Sequence, residues 1–236
     1  YIINGSSGIL RSYGISAVIT ITGTLGNLLL TILYAYPISR GDLKGRTFFS
    51  FFLFFTILFN GGLIPTYMMW TNTFHIKNSY LAYILPNLLV NGFYVIMARN
   101  FFASNIPVAL LESAKIDGAG EFRILRDIVL PMSKPILATL GLFVSLNYWN
   151  DWQNGLYYIS NDKRYTIQVL LNRMLLDTLY MQQGLSKTIN NSIGASMPTA
   201  TLKMAIAVLG AIPVLIIFPF ISKYLSGGIV VGAVKG

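Results

Sequence analysis

Five long stretches of this chain are free of Asp, Glu, Lys and Arg. They lie between Arg11 and Arg40, from Arg46 to Lys77, between Lys77 and Arg99, between Lys134 and Asp151, and between Lys203 and Lys223. A hydrocarbon core of about 30 Å is crossed by about 20 apolar helical residues, so each stretch predicts a membrane-spanning helix. The fourth is the shortest, but Tyr148, Trp149 and Trp152 mark its end, and such rings favour the membrane interface. Gly61, Gly62, Pro65, Pro86, Gly141, Pro213 and Pro219 fall inside or beside the spans. Breakers of this kind are tolerated where neighbours satisfy the freed backbone groups. The expected fold is all-α, a polytopic membrane helix bundle with five spans.

Composition agrees with this pattern. Hydrophobic residues make up 54% of the 236 residues and charged residues only 11%, against roughly 25% charged in soluble domains. The mean hydropathy is +0.62. The chain lacks the residues to build a water-facing surface over a core of this size. A net charge of +9 would suit a nucleic-acid partner if it were gathered on one face. Here the basic residues are spread between apolar runs, which is the positive-inside bias of a membrane protein. No nucleic-acid partner is expected. Cysteine is absent, so disulfides and thiolate metal sites are excluded.

The charge bias also orients the chain. Arg40, Lys44 and Arg46 share one short connection, and Arg99, Lys115, Arg123, Arg126 and Lys134 fall in another. Two spans separate these connections, so both lie on one side, and the bias makes that side cytoplasmic. The connection between them holds only His75 and Lys77. The tail with Lys223 and Lys235 is then cytoplasmic, and the 156–202 loop lies outside. The chain opens outside on Tyr1 rather than Met, and an odd span count with an external start leads to the expectation that a first span is missing.

Residues 105–135, NIPVALLESAKIDGAGEFRILRDIVLPMSKP, carry the most information. A connection of about 30 residues needs structure of its own or a partner. Pro107 suits a first helical turn, and Val108, Leu111 and Ile116 recur near helical spacing. Gly118 then breaks the run, with Gly120 behind it. A second helix is expected with Phe122, Leu125 and Val129 on one side and Glu121, Arg123 and Asp127 elsewhere, closed by Pro131. This predicts a helix–turn–helix on the cytoplasmic face.

The same segment resembles the loop of permease subunits of binding-protein-dependent ABC importers. That family's loop reads EAA, three residues, Gly, nine residues, then I-x-L-P. This chain has Glu112, Ser113 and Ala114, then Gly118, then Ile128, Val129, Leu130 and Pro131 at the same spacing. Ser113 alone departs, and it is still small. The resemblance implies the type I importer permease fold and a single transmembrane permease domain over 1–236. Within it, 105–131 would be the cytoplasmic coupling loop, 156–202 an extracytoplasmic loop and 225–236 a cytoplasmic tail that packs against the ATPase. Glu112, Ser113, Ala114, Gly118, Ile128, Leu130 and Pro131 would form the ATPase-coupling site. Residues 60–67 (NGGLIPTY) and 231–236 (VGAVKG) are similar to the second permease of the carbohydrate-uptake branch, the maltose and multiple-sugar family. Implied partners are a second permease subunit in a heterodimer, two ATPase subunits, an extracytoplasmic solute-binding protein reached by about 178–198, and a sugar or oligosaccharide cargo. The implied location is the bacterial plasma membrane.

Other constellations are weaker. Residues 41–47 (GDLKGRT) have the wrong spacing for a phosphate loop, so ATP and Mg²⁺ are expected on the partner subunits, with no cofactor in this chain and no enzyme activity of its own. The lone His75 has no acidic cluster with which to hold a metal. Tyr148, Trp149, Asn150, Asp151 and Trp152 place rings beside amides, which is what sugar binding requires; the alternative is an interfacial aromatic belt with helix-capping polar groups. Asn87 and Asn91 sit one helical turn apart in the third stretch, where they line the pathway or bond to a neighbouring helix. An importer of amino acids or peptides would share the loop motif. A stand-alone secondary transporter would need paired intramembrane charges, and the spans offer only Asp151.

Overall fold

The computed structural model describes residues 6–86, 89–188, 204–205, 207–216 and 219, and among them there are helices and turns but no strand. Helix α1 (Ser6–Ser39) is long and apolar enough to cross a membrane unbroken. Its faces are reversed relative to a helix in water. Val18, Ile21, Leu25, Leu29 and Leu33 are exposed, whereas Ser12, Ser16, Asn27, Thr31 and Ala35 are buried. Lipid is as apolar as leucine, so contact between membrane helices selects small and polar residues that allow close approach and hydrogen bonding. Thr31 donates to the Asn27 side chain at 3.2 Å on this inner face.

The remaining helices pack against the polar face of α1. Helix α2 (Arg46–Leu58) and helix α3 (Leu63–Met68), which continues as a π turn to Thr73, meet at a bend of 110°. Gly62 stands at that bend with φ +83°, a backbone conformation that side chains resist. Then come α4 (Leu81–Ile84), α5 (Gly92–Asn105) and α6 (Val108–Ile116). Helix α7 (Glu121–Ile124) runs through a π turn (Leu125–Val129) into α8 (Leu130–Met132). Helices α9 (Lys134–Trp149), α10 (Gln153–Tyr158), α11 (Ile167–Thr188) and α12 (Ala207–Ile216) complete the described chain. If each bent pair counts as one span, the described residues hold up to four. The fifth expected span is described chiefly over α12, and the 225–236 tail lies outside the described residues.

The third expected span is not one helix. It divides into the single turn α4 and the 14-residue α5, and α5 runs past Arg99 to Asn105. Pro86 between them cannot donate a backbone bond, and Asn91 starts α5 afresh by accepting the Phe93 amide. Charge-free length locates apolar chain but does not register where the helix begins.

Helix α1 packs chiefly against α9 and α5. Gly23 brings α9 close: a Cβ there would come within 2.5 Å of the Tyr148 ring, which is held because its hydroxyl donates to the Ile84 carbonyl at 3.1 Å. Gly23→Leu is expected to cost about 1–3 kcal/mol through overpacking, read as a lower unfolding midpoint of the detergent-solubilised protein. An unchanged midpoint would mean that the ring moves aside freely.

The two ends of α1 gather different loops. Near its start, the Ser16 hydroxyl accepts the Ile167 amide at 2.8 Å. At the same level the 74–80 connection is tied to the 159–166 connection, because the Asn78 side chain accepts the Ser160 and Asn161 amides. Near its end, Tyr36 and Arg40 meet α7. Ser16 and Tyr36 are separated by about 30 Å of helix, at about 1.5 Å per residue, which is the depth of a hydrocarbon core. The two basic connections therefore share one end, as the charge pattern predicts, and the His75 connection sits at the other.

Candidate functional site: the 105–135 segment and an open cleft

Helix α6 starts directly after Pro107 and stops at a glycine turn. Gly118 adopts φ +79°. Its amide donates to the Lys115 carbonyl at 3.0 Å, and the Ala119 amide to the Ala114 carbonyl at 2.9 Å. Two carbonyls left over at a helix end are thereby satisfied through one left-handed residue. The expected helix–turn–helix is present, with two corrections. Leu111, Ile124, Leu125 and Val129 are buried, but Val108, Ile116 and Phe122 are 65%, 86% and 73% exposed. Helical spacing gives the relative angles of side chains, not whether a neighbour extends far enough to cover them. Nor does Pro131 close the second helix. The chain continues to Met132 and turns at Ser133 by 81° into α9. Pro131 cannot donate and would crowd the carbonyl four residues back, and the π turn just ahead of it relieves that conflict.

A charge network that sequence spacing did not disclose lies against this segment. Asp42, from the short connection after α1, pairs with Arg40 at 3.0 Å and with Lys115 of α6 at 2.9 Å. Lys115 also pairs with Glu121 of α7 at 2.8 Å. Glu121 accepts from the Tyr36 hydroxyl at 2.7 Å and from Arg40 at 3.4 Å. The hydrogen bonds from Arg40 and Lys115 hold the Asp42 carboxyl well below the usual carboxylate range. Lys115, which resembles an ordinary solvated helix residue in sequence, is therefore engaged. Glu112 is different: it is exposed, and among the described residues it forms no ion pair. Ser113 turns its hydroxyl back onto the Leu110 carbonyl at 3.0 Å. Ala114, Ile128 and Leu130 are half-buried, and Pro131 is exposed. Glu112, Ile116, Gly118 and Phe122 thus form an outward surface with one carboxylate and two large apolar groups.

The aromatic and amide run is split. Helix α9 ends at Trp149, and the chain turns through Asn150 and Asp151. Tyr148 and Trp149 are buried, and the Trp149 indole N–H donates to the Gly210 carbonyl at 3.2 Å while its ring stacks on Tyr13. They pack the bundle, and Trp149 also lines an apolar cavity of about 350 Å³ between α1, α9 and α12. Asp151 accepts the Asn154 amide at 3.1 Å and so caps α10. Asn150 and Trp152 face an open cleft of about 460 Å³ whose other walls are mostly apolar, with Leu171 and Leu175 of α11 and Val214 and Leu215 of α12 beside the amides of Gln168 and Asn172. Gln168 and Asn172 were missed in the sequence, although two amides four residues apart on one helix share a face. Asn91 serves as the cap of α5, not as a mid-span polar group, and Asn87 lies outside the described residues. Helix α11 carries the outer loop as far as Thr188, and the rest of the 178–198 segment lies outside the described residues.

Comparison with known proteins gives a consistent picture. Residues 43–231 match the family described as binding-protein-dependent transport system inner membrane component. The chain is 40% identical over 228 residues to the polygalacturonan/rhamnogalacturonan transport system permease protein YtcP of Bacillus subtilis (strain 168), covering 97% of this chain and 78% of that protein. It is 28% identical to the melibiose/raffinose/stachyose import permease protein MelC of the same organism, over 92% of this chain and 73% of the relative. Among solved structures, it matches a chain of a bacterial ABC transporter involved in the import of the acidic polysaccharide alginate. That match has a TM-score of 0.77 and 28% identity, and covers 92% of this chain and 75% of the other.

Proposed function

We propose, from the premise that this chain belongs to the family of binding-protein-dependent transport system inner membrane components, that it is the permease subunit of an ATP-driven importer of sugars or oligosaccharides. The permease fold and the sugar-import names of its relatives support this reading. The observation that carries the mechanism is the outward surface of 105–131, with an exposed carboxylate and exposed apolar side chains standing on a capped, rigid turn. ATP binding in two partner subunits closes them on this surface, and the helix pair passes the motion to α5 and α9, which flank it. Hydrolysis belongs to those partners, which bind ATP and Mg²⁺. A second permease completes the pathway, and an extracytoplasmic binding protein delivers cargo. The C-terminal tail is cytoplasmic.

The cleft between the 150–152 turn, α11 and α12 contacts cargo along the pathway. A Trp ring covers the apolar face of a pyranose, and the amides of Asn150, Gln168 and Asn172 bond its hydroxyls. This favours sugars over amino acids or peptides, whose charged termini would call for ionised partners in the cleft.

The test is to solubilise native membranes in mild detergent, isolate this chain and identify what accompanies it. The expected companions are a second permease, an ATPase and a binding protein whose affinity for oligosaccharides then names the cargo. Recovery of the chain alone, or only with copies of itself, would make a stand-alone transporter the better reading.

A further inference from the structure

The 105–131 segment has a third attachment to the bundle besides its two chain ends. We infer that Asp42 is a positioning residue for coupling: through Lys115, Glu121, Arg40 and Tyr36 it fastens the coupling loop to the end of α1, so that α1 moves with the loop. This rests on the coupling reading above.

The geometry is specific. Asp42 is the one acid in the connection 40–46, among Arg40, Lys44 and Arg46. Its carboxylate reaches back to Arg40 at the end of α1 and across to Lys115 on α6. Lys115 bridges on to Glu121 at the start of α7, and Glu121 returns to α1 through Tyr36 and Arg40. The circuit thus closes on both helices of the coupling loop and twice on α1. Beneath it the same elements meet through apolar contact: Tyr36 and Ile38 share a buried cluster with Leu111, Ile124, Leu125 and Val129, and Leu43 and Ala114 pack on its margin.

The two layers do different things. Apolar contact holds surfaces together without fixing their register, because it has no direction. Hydrogen-bonded ion pairs are directional and resist sliding. An isolated exposed pair contributes little, but here each acid takes two cationic partners and the Arg40 side chain is only 13% exposed. Helix α1 is also the element that packs against both α5 and α9. A push on the loop that reached only its chain ends would arrive at α5 and α9 alone. With the Asp42 circuit in place it also arrives at α1, the helix that packs against both of them.

The test uses the whole complex reconstituted in proteoliposomes, with Asp42→Asn, Lys115→Met, both together, and Glu112→Lys as a reference. Sugar taken up per ATP hydrolysed is expected to fall about fivefold in Asp42→Asn and in Lys115→Met, and no further in the double variant, because both break one circuit. Lys115→Arg is expected to restore most of it. The absence of cysteine allows a reading independent of transport: spin labels on Lys44→Cys and Arg123→Cys. Their distance distribution is expected to stay narrow through the ATP cycle and to broaden when Asp42→Asn is added. Unchanged coupling and an unchanged distribution in Asp42→Asn, with Glu112→Lys inactive, would overturn the attachment and leave the coupling loop standing. Losses that multiply in the double variant would likewise overturn it. Normal uptake in Glu112→Lys would remove the coupling reading and this inference with it.

Discussion

Glu112→Lys and Gly118→Asp are expected to leave the chain in the membrane and to reduce uptake at least a hundredfold. Glu112 is exposed on the outward face of α6 and has no ion-pair partner among the described residues. Reversing its charge therefore breaks nothing within this subunit. If the residue meets a basic site on an ATPase subunit, reversal places like charges together, which costs several kcal/mol, and each 1.4 kcal/mol is about tenfold. Gly118 separates two explanations. A Cβ there meets nothing within 4 Å, so only its positive φ or an outside body requires glycine. Ala tolerates that φ less well than Asp, at a cost of about 1 kcal/mol. If backbone strain is the requirement, Gly118→Ala is the more harmful; if a docked partner is, Gly118→Asp is. The docking reading predicts that Gly118→Ala transports at a reduced rate and Gly118→Asp does not transport. Uptake assays with membrane-fraction blots decide it, and normal uptake by Glu112→Lys and Gly118→Asp would remove the coupling role from the segment.

The second large effect is expected at Trp152. It faces the cleft with Asn150, Gln168 and Asn172, and it is 38% exposed. Trp152→Ala removes the one ring among the described residues lining that cleft and is expected to lower uptake at limiting sugar about tenfold, equivalent to ~1.4 kcal/mol. Trp152→Phe keeps a ring and is expected to retain most of the uptake. Gln168→Leu keeps the size but loses the hydrogen-bonding amide, and should raise the sugar concentration needed for half-maximal uptake. Full uptake by Trp152→Ala would assign the ring to the interfacial belt and place the cargo route elsewhere. Trp149→Ala is a different experiment despite its position three residues away. That ring holds α12 through the Gly210 carbonyl, so its loss is expected to appear as reduced yield of folded protein.

Much of this protein was readable from local pattern. Apolar runs set off by charges locate the apolar helices, because a bilayer excludes charge wherever the chain crosses it, although where each helix starts and bends is not read from them. The spacing from Glu112 to Gly118 to Pro131 gives the helix–turn–helix, because Gly118 is the residue that accepts a positive φ at that turn. Sharing of one end by the two basic connections follows from charge alone. Three-dimensional packing decided the rest. No period in the sequence relates Asp42 to Lys115 and Glu121, which lie 73 and 79 positions away and meet only because α1 and the coupling loop end at the same level. The run from Tyr148 to Trp152 reads as one constellation, yet a helix terminus inside it sends Trp149 into the core and Trp152 into the cleft. The exposure of Phe122 and Ile116 could not be read from helical spacing, since burial depends on how far the neighbouring helices reach. Sequence determines which residues share a helix face; which faces meet, and which are left open for a partner, is determined by the lengths and bends of helices far apart in the chain.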